Sequence, residues 1–463
     1  MTARVVIIGG GVSGLATAYD LKCQGHEVVV LERQHAAGGN AVSERLDGFL
    51  IEHGPSTMNA ALPAGADFSR ELGLDATRCD LGDGVRRRYL VGGGRLHGIA
   101  TGPLGFLTSP YLSPAARLRV LAEFAVPTRR AEQEESVMAF CARRFGDEFA
   151  RRVIDPLVAG IYAGRASEAS VSAVFPKLVE LEREYGSISR AVVSRRRGGG
   201  RMPGSRLFSW QSGMASLPDA LAQRLGRAVR TGVTVRRVVP RGCGFRVEAG
   251  AAGALDADAV VIATQPHVAA QLLAHADPIG ADAAGRIQAP PLAVVFLGYD
   301  RRQVAHPLDG LGFLTPEDEG RDLLGAQFPS TMFPGRAPAG FVAVAGYIGG
   351  ARAPDLARLP AADLIALARA EFGDLIGASG DPVVARVRHW PVGIPQYGLG
   401  HGALADDLNA AGQRRPGLFV TGNYLAGPSV ASCLTAARAT AAGVSAHLGT
   451  NRDNVAADRV LAR

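Results

Sequence analysis

Four consecutive apolar residues, Val5-Val6-Ile7-Ile8, follow Arg4 with no polar position between them, which predicts a strand buried on both faces. The pattern then passes through a glycine turn, Gly9-Gly10-Gly11-Val12-Ser13-Gly14, into helically spaced apolar positions as far as Leu21. A second unbroken run, Val28-Val29-Val30-Leu31, ends on Glu32. Much later, Ala259-Val260-Val261-Ile262-Ala263-Thr264 reads as another buried strand, preceded by one expected around Val233 and Val235. Near the end, Leu418-Phe419-Val420 opens into Thr421-Gly422-Asn423-Tyr424 and then an Ala-rich helical stretch over 429–448. Short apolar strands separated by helices predict a parallel sheet clothed in helices. Between these pieces, Ser113-Pro114 starts a helix carrying Leu118, Val120, Leu121 and Phe124, after the apolar segment Gly102-Pro103-Leu104-Gly105-Phe106-Leu107. That pattern fits a core helix or one resting on a bilayer surface.

The first turn has chemistry of its own. In G-x-G-x-x-G between a strand and a helix, Gly9 permits the tight turn, Gly11 lets backbone approach a pyrophosphate, and Gly14 lets helix and strand pack closely. Unpaired N–H groups at the helix start attract phosphates, as does Ser13 beside them. Glu32 lies 18 residues beyond Gly14, a spacing that suits a carboxylate accepting from ribose hydroxyls, whereas Glu27 stands at the wrong end of its strand. This unit serves both nicotinamide and flavin dinucleotides.

At 463 residues and 47% hydrophobic content the chain predicts two or three domains. It contains no run of about 18 apolar residues and no signal-peptide core, so a cytoplasmic location is expected, or at most a membrane surface. Its five scattered cysteines form no CxxC or Cys/His cluster, which argues against disulfides and a metal site. The net charge of +7 comes almost wholly from arginine, with only Lys22 and Lys177 as lysines, and predicts no nucleic-acid partner. The one cluster, Arg190, Arg195, Arg196, Arg197, Arg201 and Arg206 around the glycines at 198–200, reads as a solvated linker.

Other motifs separate the dinucleotides by resemblance. Gly38-Gly39 after Glu32-Arg33, with Gly54-Pro55-Ser56 beyond, resembles the loop of amine-oxidase-like flavoproteins. Arg143-Arg144-Phe145-Gly146-Asp147-Glu148, Asp155-Pro156-Leu157-Val158-Ala159-Gly160-Ile161-Tyr162-Ala163-Gly164, Phe208-Ser209-Trp210, Phe333-Pro334 with Arg336-Ala337-Pro338, and Ile394-Pro395-Gln396-Tyr397 with Gly400-His401 resemble the oxygen-dependent protoporphyrinogen and coproporphyrinogen oxidases. The resemblance runs along the whole chain and implies an α+β flavoprotein: a Rossmann-like FAD-binding domain (1–72, 208–270, 410–463), a substrate domain on a mixed sheet (73–95, 271–409) and a helical region (96–207). It implies noncovalent FAD, held by Gly9, Gly11, Ser13, Gly14, Glu32, Arg33, Gly38, Gly39, Gly54, Pro55, Ser56, Val235, Thr264, Trp390, Gly422, Asn423, Ser429 and Val430.

The same resemblance implies oxidation of a tetrapyrrole porphyrinogen by dioxygen in heme biosynthesis. Gly160 and Leu157 would lie against the macrocycle, Leu311 and Leu314 would sandwich it, and Arg88 would meet a carboxylate arm. The chain departs from the family pattern at Asn40, Leu311, Pro428 and Ala431-Ser432, which keeps a same-fold oxidase of an amine or a secondary metabolite as an alternative. A non-catalytic scaffold is opposed by the intact Gly9/Gly11/Gly14/Glu32 set.

Overall fold

The computed structural model describes residues 3–100, 109–129, 133–197 and 207–461. Strands Val229–Arg230, Glu27–Leu31, Arg4–Ile8, Ala259–Ile262 and Leu418–Val420 lie in that order as a five-stranded, wholly parallel sheet. Alternation decides what each face buries. Val5 and Ile7 pack beneath helices Val12–Cys23, Ser216–Leu225 and Val430–Leu461, with Leu15, Ala18, Leu221 and Leu434 in one core. Val6 and Ile8 turn the other way, onto Phe245 and Val247 of a three-stranded antiparallel sheet built from Arg237–Arg241, Gly244–Glu248 and Ala254–Ala257. Helices Pro278–Arg286 and His401–Asn409 join that second core through Ala283, Ala284 and Leu408, although their residues fall in the stretch expected for the substrate domain.

A second sheet has seven strands, in the order Val384–Trp390, Leu292–Asp300, Phe341–Gly349, Leu323–Gln327, Gly310–Leu314, Arg87–Gly92 and Arg95–Ala100. All pairs are antiparallel except Gly310–Leu314 with Arg87–Gly92. Helix Ala361–Ile376 covers one face, where Val344, Ile348, Phe313 and Phe372 are buried together. The last strand crosses the boundary expected at residue 95.

The described part of the helical region centres on a fully buried ion pair between Arg144 and Glu123. Arg144 also donates to the Val126 and Gly186 carbonyls at 3.0 and 2.9 Å. Glu123 accepts the N–H groups of Ile188 and Ser189 at 3.0 and 2.8 Å, which caps helix Ile188–Arg197. Arg190 and the arginines at 195–197 therefore belong to a capped helix, not to the linker expected there; Arg201 and Arg206 lie outside the described residues. Helix Pro114–Leu121 also departs from the core reading, since it buries Ala116 and leaves Leu118 and Leu121 exposed. The segment 102–107 lies outside the described residues. No described helix is long and apolar enough to cross a membrane.

Candidate active site

The glycine turn follows strand Arg4–Ile8 at the carboxyl end of the parallel sheet, where its neighbour Ala259–Ile262 also ends. Gly9 adopts a φ of +107°, and a Cβ there would stand 2.5 Å from the Ala263 carbonyl oxygen. A Cβ on Gly14 would overlap the Gly9 carbonyl oxygen. Gly11 differs: the nearest atom to its Cβ position is Gly39 Cα, at 3.8 Å. The fold thus demands glycine at 9 and 14, whereas at 11 the space is left for something the chain binds.

The expected loops converge on this turn. Gly38 donates its N–H to the Gly10 carbonyl at 2.8 Å, and Gly38 and Gly11 form a β-bridge, so Gly39 lies against the turn. Gly54 packs on Asn40, which brings Pro55 and Ser56 to the same edge. Glu32 accepts from the Gly10 and Gln34 N–H groups, both at 2.7 Å, and Arg33 beside it is exposed. Val233 donates to the Glu32 carbonyl at 2.8 Å; the chain through Val235 is coil between strands Val229–Arg230 and Arg237–Arg241, not the strand expected there. Thr264 follows strand Ala259–Ile262, and Gly422 and Asn423 follow Leu418–Val420.

Two helix starts meet at the turn. Helix Val12–Cys23 has no side-chain cap, so its first N–H groups remain available to an anion. Ser13 in its first turn lies beside Cys433, and Thr17 donates to the Ala437 carbonyl at 3.5 Å, which sets this helix along Val430–Leu461. Ser429 accepts the Ser432 N–H at 3.0 Å just ahead of Val430. Trp390 reaches in from the second sheet and donates to the His53 carbonyl at 2.7 Å.

Next to this edge helix Asp155–Tyr162 packs on the second sheet, and the surface along that contact, where Gly160 is exposed and Leu157 and Leu314 are half-buried, is the candidate substrate slot. The Gly160 position abuts Leu314, and any Cβ there would overlap Leu314 Cδ2. Leu157, three residues earlier on the same helical face, is half-buried. Leu311 is half-buried near Met332 and Phe333. Arg88 is exposed on strand Arg87–Gly92; it alternates with Tyr89 and Val91, which face the opposite core, and so shares its side with Leu90, whose cluster includes Leu314.

The helix is held in place at both ends. Asp155 accepts from Glu317 N–H at 3.1 Å and Arg352 at 2.5 Å, while Ala163, with φ of +49°, accepts the Ala351 N–H at 2.7 Å.

The family model for flavin containing amine oxidoreductases matches residues 12–445. The chain belongs to that family. It is 29% identical, over 96% of itself and 85% of the relative, to the chloroplastic protoporphyrinogen oxidase of Nicotiana tabacum. To the coproporphyrinogen III oxidase of Propionibacterium freudenreichii it is 30% identical over 99% of itself and 95% of the relative. Among solved structures, a candidate protoporphyrinogen oxidase from Exiguobacterium superposes with a TM-score of 0.84 at 22% identity, covering 97% of this chain and 99% of that one. Cyclohexylamine oxidase from Brevibacterium oxydans gives 0.73 at 18% identity, covering 97% and 100%.

This oxidoreductase is therefore an FAD enzyme with the α+β fold of its family. The residues fit the cofactor: the open Cβ position at Gly11 and the uncapped helix start suit the pyrophosphate, and Glu32 suits the ribose.

The structure adds contacts that no motif foretold, some of them among residues inside the quoted motifs. Gln327 ends strand Leu323–Gln327, and its Oε1 accepts from Ser56 Oγ at 2.8 Å and Tyr347 OH at 3.0 Å. Glu52 and Arg336 line the pocket behind them, 3.5 Å apart. Burial pushes the Glu52 carboxyl up to about 7, against the Ser43 hydroxyl, the Arg336 guanidinium and the Met214 N–H. The same burial pulls Arg336 down. Tyr397 donates to the Asn423 carbonyl and packs on His401, with ring centroids 4.7 Å apart, which fixes the loop after Gly422.

Proposed function

We propose that the enzyme oxidises a porphyrinogen to the porphyrin and passes the electrons to dioxygen. The observation that carries this reading is the match to porphyrinogen oxidases along nearly the whole chain, in which the helix bearing Gly160 packs on Leu314 with Arg88 on the same side of the sheet. Bound FAD, held noncovalently, supplies the electron acceptor for hydride removed from the macrocycle. The chain's own part is placement. Gly160, exposed and without a side chain, lets the helix close onto Leu314 at the edge of the slot. Leu157, Leu311 and Leu314 offer apolar walls, and Arg88 offers a guanidinium to a carboxylate arm. Loss of pyrrole N–H protons needs an exit from the slot, and the polar group of Ser56, Gln327 and Tyr347 lies beside it.

The apolar surface of the helical region supports a second element of this reading, peripheral contact with a bilayer near the entrance. Leu118, Leu121 and Phe124 are 68%, 52% and 55% exposed, and Phe124 shares a shallow pocket with Val193 and Arg190.

Arg88→Ala tests the substrate assignment. The variant is expected to keep its flavin and to raise KM for the free-acid porphyrinogen by roughly 5- to 150-fold, corresponding to about 1 to 3 kcal/mol for a charge-assisted hydrogen bond. Esterified substrate should show no difference between variant and wild type. An unchanged KM for the free acid would place Arg88 outside the site.

A further inference from the structure

One buried hydroxyl joins the strand that carries Arg88 to the turn that carries the helix of Gly160. Tyr111 OH donates to the Val91 carbonyl at 2.9 Å and to the Arg152 carbonyl at 3.0 Å. Val91 belongs to strand Arg87–Gly92. Arg152 belongs to a π-helical turn, Ala150–Ile154, that runs directly into helix Asp155–Tyr162 with Leu157 and Gly160. In that turn the Asp155 N–H reaches back to the Ala150 carbonyl, one residue further than an α-helix spans.

The sequence accounts for the wide turn. Pro156 stands where an α-helix would need an N–H for the Arg152 carbonyl, and its ring would press on that carbonyl. The helix widens there, and Tyr111 supplies a donor that Pro156 cannot. The ring is seated to do so. A Cβ on Gly92 would stand 2.9 Å from Tyr111 Cε2, so glycine at 92 makes room for it. The Arg152 guanidinium lies 5.4 Å over the ring and donates to the Tyr111 carbonyl at 3.0 Å. Ser113, two residues on, donates its N–H and hydroxyl to the Glu148 carboxylate at 2.7 and 2.6 Å, just ahead of the wide turn. Leu90 and Val153 are buried with Tyr111, and Leu314 packs against the same cluster. Burial raises the ionisation of the phenol above the usual tyrosine range, so it stays a donor. A hydroxyl has one hydrogen, and the two carbonyls share it.

Resting on the porphyrinogen reading above, we propose that Tyr111 is a positioning residue: its hydroxyl ties the strand of Arg88 to the helix of Gly160 and so sets the distance between the group that takes a carboxylate arm and the surface that takes the ring. With the tie in place, an arm held at Arg88 delivers the ring to the helix. Without it, part of the binding energy at Arg88 goes into bringing the two elements together.

The test is a double-mutant cycle on the holoenzyme: wild type, Tyr111→Phe, Arg88→Ala and the double variant, followed by anaerobic flavin reduction with coproporphyrinogen and protoporphyrinogen and by fluorescence titration of the product porphyrins. Tyr111→Phe keeps the ring and should keep the flavin, its spectrum and its reoxidation rate, while flavin reduction slows by on the order of five- to tenfold. The deciding quantity is the penalty for Arg88→Ala, which should be several-fold smaller in the Tyr111→Phe background than in wild type, in both the kinetics and the porphyrin affinity. Arg152→Met, which takes the guanidinium from the Tyr111 carbonyl and ring, should shift that penalty in the same direction and decides the matter if the phenylalanine variant folds poorly. An Arg88→Ala penalty of one size in every background would overturn the proposal whatever happens to Tm, because a merely structural tyrosine would change stability and leave this ratio alone. A wild type reduced by neither porphyrinogen, or one in which Arg88→Ala carries no penalty, would remove the underlying reading and the proposal with it.

Discussion

Gly160→Val is expected to retain FAD and to slow flavin reduction by the porphyrinogen by on the order of a hundredfold, the penalty for displacing a reacting centre by about 1 Å. The geometry gives the cause: a Cβ at 160 would overlap Leu314 Cδ2, so the new side chain must drive Leu314 into the slot or occupy it. Because the helix is fixed by Asp155 at one end and Ala163 at the other, it has little freedom to retreat. The loss should appear in anaerobic stopped-flow reduction, while reoxidation of reduced enzyme by dioxygen stays near the wild-type rate. Adding Leu314→Ala in the same chain should restore part of the rate, since it empties the volume that valine invades. Full-speed reduction in Gly160→Val would place the macrocycle elsewhere.

The second large effect belongs to the cofactor. Gly11→Val should fold and yet purify without flavin, with affinity for added FAD reduced by on the order of a hundredfold or more, equivalent to about 3 kcal/mol of steric overlap. The contrast with Gly14 makes the result informative. A side chain at 14 collides with the Gly9 carbonyl, so Gly14→Ala should destabilise the apoprotein itself. The Cβ of residue 11 meets only Gly39 Cα, at 3.8 Å, so its main cost falls on the ligand. Urea unfolding of both apoproteins, with FAD titration of the folded one, separates the two roles. Stoichiometric flavin in Gly11→Val would show that the pyrophosphate does not pass this turn.

The parallel sheet was legible because strands buried on both faces leave unbroken apolar runs, and Glu32 was legible because it closes one of them. The strand expected around Val233 and Val235 was not found: pairing with the edge of the sheet is taken by Val229–Arg230, and the residues after it are held by isolated bonds, from Gly232 to the Gln34 carbonyl, Val233 to that of Glu32 and Arg236 to that of Glu248, and not by a ladder. Arginine density suggested a linker where a helix stands, since the acid that caps that helix, Glu123, lies 65 residues before Ile188 in the chain. The exposed Leu118 and Leu121 carry the periodicity of a core helix, and periodicity alone does not say what covers the apolar face. Gly160 and Leu314 were named singly, but their contact joins a helix to a strand more than a hundred residues away, and only the fold reveals it. Gln327 and Tyr347 belong to no spacing rule at all; their significance comes from the sheet register that points both toward Ser56.

The most direct measurement mixes the oxidised holoenzyme, without oxygen or nicotinamide, with coproporphyrinogen, protoporphyrinogen and a panel of amines, and follows the flavin absorption. Porphyrinogen oxidation in the Gly160 slot should bleach the flavin rapidly with at least one of the two macrocycles, and admitting dioxygen should restore the flavin, release hydrogen peroxide and leave a fluorescent porphyrin. Rapid bleaching by an amine, with neither porphyrinogen reacting faster than it oxidises on its own, would contradict the assignment while leaving the FAD oxidoreductase intact.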